Sequence, residues 1–380
     1  MNYLEIHSQS KENSIAGRYI TLHDIEPIIK KYNPEIIGKS VLGKPIYQIK
    51  LGSGATKIFM WSQMHGNEST TTKALFDFIN LLQSGSEIGT ELLSKFTFCM
   101  IPMLNPDGAE AYTRVNANQV DLNRDSQDLT QPESMVLRQT FEAFKPHYCY
   151  NLHDQRTIFG AGEMGNPATV SFLSPSYNEN RDINEVRKKA MAVIVAMNQT
   201  LQEYIPGKVG RFDDSFNINC IGDTFQSLNV PTILFEAGHY PEDYQREETR
   251  KYIFIAMLSG FLNLINSDNN DDCVDEYLNI PQNKIVFFDM IYKNVTISKD
   301  DKEKILNFAA QYTEILVDGS VVFEARIAKI GDLENNFGHY EFDAQGKPFF
   351  DGEKNFPVLD SKADFKLGKS MNFVNGLLNL

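Results

Sequence analysis

Histidine, glutamate and arginine carry most of the chemistry open to this chain. His65 and Glu68 stand three residues apart in His65-Gly66-Asn67-Glu68, and a turn at Gly66 can fold an imidazole and a carboxylate toward one point. His153 offers a second imidazole far along the chain. Two histidines and one glutamate leave a tetrahedral position of a zinc ion open, the arrangement of catalytic rather than structural zinc. A His-x-x-Glu pair alone carries little weight in a chain with seven histidines and abundant glutamate. A second constellation is Asp121-Leu122-Asn123-Arg124, preceded by Arg114 and Asn116. A planar guanidinium beside an amide grips a carboxylate through parallel hydrogen bonds; the ordinary fate of such a run is a solvated, charged loop. Glu236 ends the apolar run Thr232-Ile233-Leu234-Phe235. Beside a metal ion such a carboxylate is a general base, and otherwise it is a strand-end residue facing solvent.

These residues share a placement. The apolar run 57–64 leads into His65, 96–103 into Asn105-Pro106-Asp107-Gly108, 147–152 into His153, and 231–235 into Glu236. Their length, aromatic and β-branched content and flanking turn residues predict strands. Between them, helical periodicity covers 70–82, 133–144 behind Pro132, 182–204 and 244–265. Strands alternating with helices predict an α/β fold: a mixed, mostly parallel sheet with helices on both faces. In such sheets ligands collect outside the carboxyl ends of the strands.

The polar, acidic stretch around Asn266–Asp275 reads as an exposed linker. The expected organisation is a catalytic domain over 1–268, a linker over 269–275 and a small β-rich C-terminal domain over 276–380. Short strands are expected at 284–288, 295–297, 321–327 and 338–342, while 302–312 fits helix or strand equally well.

Composition narrows the function classes. Among 380 residues, 36 Lys+Arg against 50 Asp+Glu give a formal charge of −14, and such a field repels nucleic acid and anionic membranes. No run of about 18 apolar residues exists to span a bilayer. Cys99, Cys149, Cys220 and Cys273 show no C-x-x-C spacing, and the first two sit in strand-like runs, so reduced thiols are expected. With no basic-then-apolar leader at Met1-Asn2-Tyr3-Leu4-Glu5, a cytoplasmic protein is the expectation. His7, His23 and His339 lie outside the strand-end set and read as surface or core-edge residues, and His147 as a structural partner. His239 reads as exposed or as a neighbour of the site, and Arg156 as a surface charge.

Taken in order, His65-Gly66-Asn67-Glu68, Asn105-Pro106-Asp107-Gly108, the block from Arg114 to Arg124, Leu152-His153 and Leu234-Phe235-Glu236 resemble the zinc carboxypeptidase family of metallopeptidases, in a compact, bacterial-like branch. The hairpin Gly38-Lys39-Ser40-Val41-Leu42-Gly43-Lys44 resembles the family's leading hairpin, so the likeness runs from about Gly38 to Ile265. The resemblance implies one Zn2+ per chain, held by His65, Glu68 and His153. It implies that Arg114 stabilises the oxyanion, that Asn123 and Arg124 bind the substrate's terminal carboxylate, and that Glu236 is the general base acting on metal-activated water. Asp121 would accept from the far nitrogen of His65 and orient it. The chain departs from the family at Gln119, where glycine is usual, at Asp125, where a second asparagine is common, and at Asp154, an acid directly after a ligand. Phe212-Asp213-Asp214-Ser215-Phe216 stands where a mobile tyrosine is expected, and residues near Gly222 and Asp223 are expected at the side-chain pocket.

The leading expectation is a zinc metallocarboxypeptidase acting on peptides or peptidoglycan-like fragments with a free carboxylate. A zinc-dependent deacylase of N-acyl amino acids shares the fold and the His-x-x-Glu, and is the alternative; the Asn105–Gly108 and Asp121-Leu122 residues favour the peptidase. A non-catalytic binding module is the third reading, against which Glu236 speaks. Oligomeric state is not legible in the sequence.

Overall fold

Alternation along the central strands sorts their side chains into two cores. In the computed structural model, which describes residues 1–266 and 273–379, nine strands and associated helices run through the first two-thirds of the chain. The strands are β1 (Glu35–Lys39), β2 (Pro45–Leu51), β3 (Thr56–Ser62), β4 (Phe96–Ile101), β5 (Tyr148–Asp154), β6 (Phe159–Ala161), β7 (Val170–Leu173), β8 (Val209–Arg211) and β9 (Thr232–Ala237). All but β6 form one sheet in the order β1-β2-β4-β3-β5-β9-β7-β8. Its centre, β4-β3-β5-β9, is parallel; β2 and β7 join it antiparallel, β1 pairs antiparallel with β2, and β8 runs parallel to β7.

The helices are α1 (Tyr3–Ser10), α2 (Leu22–Ile29), α3 (Thr70–Gln83), α4 (Glu87–Lys95), α5 (Pro106–Ala111), α6 (Pro132–Phe144), α7 (Glu185–Gln202), α8 (Ile221–Ser227), α9 (Glu247–Asn266) and α10 (Val274–Leu278). On one sheet face Ile58, Met60, Phe98, Met100, Tyr150 and Phe235 pack with residues of α3, α7 and α9. Phe261 of α9 anchors this core, its ring 4.8 Å from Tyr150 and 5.0 Å from Phe78. Truncating such a ring to Ala costs about 3–5 kcal/mol. On the other face Phe59, Trp61, Cys99, Ile101 and Cys149 pack under α6 and α8 through Leu137, Phe141, Ile221 and Phe225. The expected α/β fold with helices on both faces is what the chain adopts, because a strand buried on both sides needs cover on both.

The chain folds as two compact units, 1–155 with 168–283 and 156–167 with 284–380. The second has its own four-stranded sheet: β11 (Phe287–Lys299), β12 (Lys302–Val317), β13 (Ser320–Ile330) and β14 (Phe337–Asp343), with the short β10 (Asn283–Ile285) preceding it. Its core holds Tyr292, Phe308, Phe365 and Phe373. The ambiguous stretch 302–312 is strand, paired with β11 on one side and β13 on the other. Residues 269–272 of the expected linker lie outside the described residues, and α10 packs in the first unit.

Candidate metal centre

β3 ends at Ser62, and seven residues separate it from α3 at Thr70. The loop between them carries His65 and Glu68. It lies so close to the first turn of α5 that a Cβ on Gly66 would stand 1.9 Å from the carbonyl carbon of Gly108. The glycines of the two sequence motifs therefore meet backbone to backbone. Asn105 holds this junction, its Oδ1 accepting from Gly108 N at 2.9 Å and its Nδ2 donating to Met64 O at 3.1 Å. Proline at the first helical position and asparagine at the cap fit the start of α5.

His153 and Glu236, expected at the ends of their strands, are the penultimate residues of β5 and β9, and the parallel ladder runs one residue past each. They are register partners, so both project from one face, the face of Cys149 and not that of Tyr150. Asp154, next along, points the other way. Its carboxylate accepts from Thr70 N at 2.9 Å and Thr71 N at 3.2 Å. The acid after the ligand is thus the cap of α3, whose own N-cap Ser69 makes no side-chain cap bond.

The three expected ligands converge. His65 Nδ1 lies 2.8 Å from Glu68 Oε1, His153 Nδ1 lies 2.8 Å from Glu68 Oε2, and the two Nδ1 atoms are 3.1 Å apart. The remaining nitrogen of His65, Nε2, faces Asp121 Oδ1 at 3.0 Å. An ionised carboxylate only accepts, so Nε2 carries the hydrogen and Nδ1 presents a lone pair. That lone pair faces another carboxylate oxygen and a second imidazole nitrogen. A proton on His65 or a bound metal cation relieves such a cluster of acceptors. Tetrahedral zinc with Zn–N of about 2.0–2.1 Å sets its nitrogens about 3.3 Å apart, close to the observed separation. The donor set fits zinc, and among the described residues it is the one His/Cys/Asp/Glu cluster of ligating geometry.

The protonation equilibria tell the same story. Burial opposes charge on His65, but the Glu68 and Asp121 carboxylates outweigh it and raise its pKa. Burial likewise opposes the Glu68 carboxylate, but the two imidazoles hold its pKa well below the ordinary range. His153 is pulled down by burial. Glu236 is pushed well above the ordinary range by burial, then by the charges of Glu68 and Asp154. A cation among the ligands would offset that repulsion.

Arg114 and Asp121 sit at the rim. Arg114 Nε donates to Asp121 Oδ2 at 3.0 Å and Nη1 to Glu68 Oε1 at 3.3 Å, while its side chain stays half exposed. Asn123 Oδ1 accepts from Ile221 N at 2.9 Å, which leaves the Nδ2 end as donor. Arg124 is exposed and donates through Nη1 to Asn123 O at 2.6 Å and to Cys220 Sγ at 3.0 Å. Asn116 Nδ2 braces this loop against Gln131 and Glu133, and Asn116 Oδ1 accepts from Asn118 N and Val120 N. Gln119 has φ +62°, a left-handed conformation that explains why glycine is usual there. Asp125 accepts from Thr130 N and Gln131 N, each at 2.9 Å, and closes the loop before α6.

Other residues fall differently. His239 is buried, its ring tilted against that of Tyr244 at 4.7 Å. His7 is buried against Asp77 at 3.2 Å, and His339 stacks on Phe287 at 4.6 Å. His147 accepts from Lys57 N at 2.9 Å, a structural partner as expected. Sequence reasoning missed Gln63 and Ser69, buried polar residues on either side of the ligands. Gln63, polar at the end of an apolar run, offered a signal, whereas Ser69 stands among polar neighbours and offered none.

Comparison with known proteins bears on the family and the fold. The zinc carboxypeptidase family model matches residues 29–203. Carboxypeptidase 2 of Trichophyton rubrum is 27% identical over 146 residues, covering 36% of this chain and 26% of its own length. Gamma-D-glutamyl-L-diamino acid endopeptidase 1 of Lysinibacillus sphaericus is 37% identical over 81 residues, covering 19% of this chain and 20% of its own. The chain spans about a quarter of the length of the curated relatives it matches. A solved metallo-carboxypeptidase from Burkholderia cenocepacia shares the fold with a TM-score of 0.51 at 17% identity, over 64% of this chain and 68% of its own.

Proposed function

We propose that this chain, whose residues 29–203 match the zinc carboxypeptidase family model, hydrolyses the C-terminal amide bond of a peptide or peptidoglycan-like fragment. The observation that carries the reading is the convergence of His65 Nδ1, His153 Nδ1 and the Glu68 carboxylate, with Asp121 fixing the His65 tautomer. One zinc ion held by His65, Glu68 and His153 would supply Lewis acidity toward a carbonyl and lower the pKa of a water molecule. Glu236, on the same sheet face as His153, takes the proton from the attacking water and returns it to the leaving amine. Arg114, beside Glu68, meets the negative charge that develops on the carbonyl oxygen. Asn123 and Arg124 hold the terminal carboxylate of the substrate, the amide through Nδ2 and the guanidinium through its fork.

Buried thiols at Cys99 and Cys149 support a reducing, cytoplasmic setting. No helix among the described residues is long and apolar enough to cross a membrane. The net charge of −14 argues against nucleic acid as partner.

The test is a substrate panel on zinc-loaded protein: peptides with a free C-terminal carboxylate, the same peptides amidated, and N-acetyl or N-succinyl amino acids. Release of the last residue from the free acids alone is expected. Equal cleavage of amides would replace the reading with an endopeptidase or amidase. Exclusive turnover of the N-acyl amino acids would replace it with a deacylase, and no turnover of any of them with a binding module.

A further inference from the structure

A metal site needs its donors within about 0.2 Å of their places. The loop that supplies two of the three ligands here has only seven residues between β3 and α3, and one of them is strained: Gln63 has φ +48°. Something must hold that loop. Two buried polar side chains flank the ligands, Gln63 before His65 and Ser69 after Glu68, and both reach the same stretch of chain.

Gln63 Nε2 donates to Ile20 O at 2.8 Å and to Gly66 O at 2.9 Å, and its Oε1 accepts from Thr72 Oγ1 at 3.0 Å. One side chain thus ties the N-terminal segment, the centre of the ligand loop and the first turn of α3. Ser69 Oγ donates to Arg18 O at 2.6 Å. Gln63 and Ser69 are 1% and 0% exposed, so water does not compete for these bonds.

The segment that receives them is itself fixed. Arg250 of α9 donates to Glu12 O at 2.7 Å and Ile15 O at 2.9 Å, and pairs with Asp77 of α3 while both are fully buried. Asp77 also accepts from Glu12 N at 2.7 Å, Glu247 accepts from Gly17 N at 3.2 Å, and Lys11 lies 3.0 Å from Glu247. Residues 11–20 therefore lie across α3 and α9 as a strap, and they precede the part of the chain that the family model covers.

We propose that Gln63 and Ser69 are positioning residues of the metal centre, acting by pinning the ligand loop to the Arg18 and Ile20 carbonyls of this N-terminal strap. The inference rests on His65, Glu68 and His153 being the zinc ligands. A purely structural role would spend these bonds on fold stability alone. A positioning role sets the angle at which His65 and Glu68 meet His153, and so sets metal affinity and ligand geometry at constant fold.

The experiment uses the full chain carrying Gln63→Met or Ser69→Ala. It measures zinc affinity by chelator competition, the visible absorption of the cobalt(II)-substituted protein, and thermal unfolding of the metal-free form. Each variant is expected to bind zinc about 10–100-fold more weakly, the scale for losing an outer-shell support. Each should also alter the cobalt band while metal-free unfolding stays cooperative. Wild-type affinity and cobalt spectrum in both variants would overturn the proposal, as would lowered stability with affinity unchanged. If Gln63→Met does not fold, Ser69→Ala decides, since it removes one hydroxyl. His153→Ala separates the two levels: zinc retained stoichiometrically there defeats the ligand assignment. Zinc lost in His153→Ala but held normally by Gln63→Met and Ser69→Ala defeats the strap alone.

Discussion

Gly66→Ala is the smallest change that sets the fold against the metal centre. The added methyl would stand 1.9 Å from Gly108 C, 2.2 Å from Ala109 N and 2.3 Å from Gly108 O. Carbon atoms in ordinary contact sit about 3.5–4.0 Å apart, so one of the two backbones must retreat by about 1.5–2 Å. The α5 side resists. Gly108 N is bonded to Asn105, Gly108 O accepts from Thr113 N at 2.8 Å, and the space on its own Cα is filled by Asn105 Nδ2 at 2.4 Å from an added Cβ. The ligand loop moves instead and carries His65 and Glu68 with it.

Two magnitudes follow from that displacement. Overpacking of a tight backbone contact costs about 1–3 kcal/mol in the metal-free protein. The shift exceeds the roughly 0.2 Å tolerance of a zinc donor several-fold, so zinc affinity should fall by more than about 100-fold. Through linkage, a hundredfold weaker affinity removes about 2.7 kcal/mol of the stabilisation that zinc confers when present well above its Kd. Urea unfolding in excess chelator reads the first quantity, and unfolding at fixed free zinc together with competition titration reads the second. Gly43→Ala is the control: that glycine has φ +82° but open space around it, so the change should lower stability modestly and leave zinc affinity alone. A Gly66→Ala protein that binds zinc as tightly as wild type would refute the claim that the Gly66–Gly108 approach sets the ligand positions.

Three further expectations can be checked on the same material. Glu236→Gln should keep the fold and the zinc but lower kcat by about two to four orders of magnitude, the scale of a lost general base; near-normal turnover by the metal-loaded variant would contradict the role. Arg124→Ala should mainly raise KM and blunt discrimination between free-acid and amidated peptides. Arg114→Ala should mainly lower kcat, by about two to three orders, because its partner charge exists only in the transition state; the reverse pattern in steady-state kinetics would exchange their roles. Burial opposes charge on Glu247, but Lys73, Lys11 and Arg250 outweigh it and bring its pKa down to about 2. Its carboxylate therefore stabilises the fold above the ordinary glutamate range, and that contribution fades as pH falls through that range toward 2. Part exposure limits it to about 1–2 kcal/mol, so urea midpoints between pH 6 and pH 3 should fall less steeply for Glu247→Gln than for wild type; parallel curves would exclude the contribution.

What the sequence made legible follows from where local rules dominate. β3, β4, β5 and β9 are continuous apolar runs because both faces are buried, and their ends carried the ligands, so strands and candidate ligands could be read together. Their bounds were less legible: His153 and Glu236 are polar residues inside strands, and only the pairing of β5 with β9 extends the ladder through them. β7 and β8 are four and three residues long and held by neighbours, which leaves little periodicity to detect. In β12 the charged start Lys302-Glu303-Lys304 hides the alternation, and pairing with two neighbouring strands decides the conformation. The supports of the site were the hardest to read, because each acts across long sequence separations. Asp154 caps a helix that begins 84 residues earlier, Asn105 holds Met64, and Ser69 answers to Arg18. A motif shows which residue types chemistry needs. The buried bonds from Gln63 to Ile20, Ser69 to Arg18, Asn105 to Met64 and Asp154 to Thr71 bring those types to within 3.1 Å of one another, and they follow no local rule because their partners come from the fold as a whole.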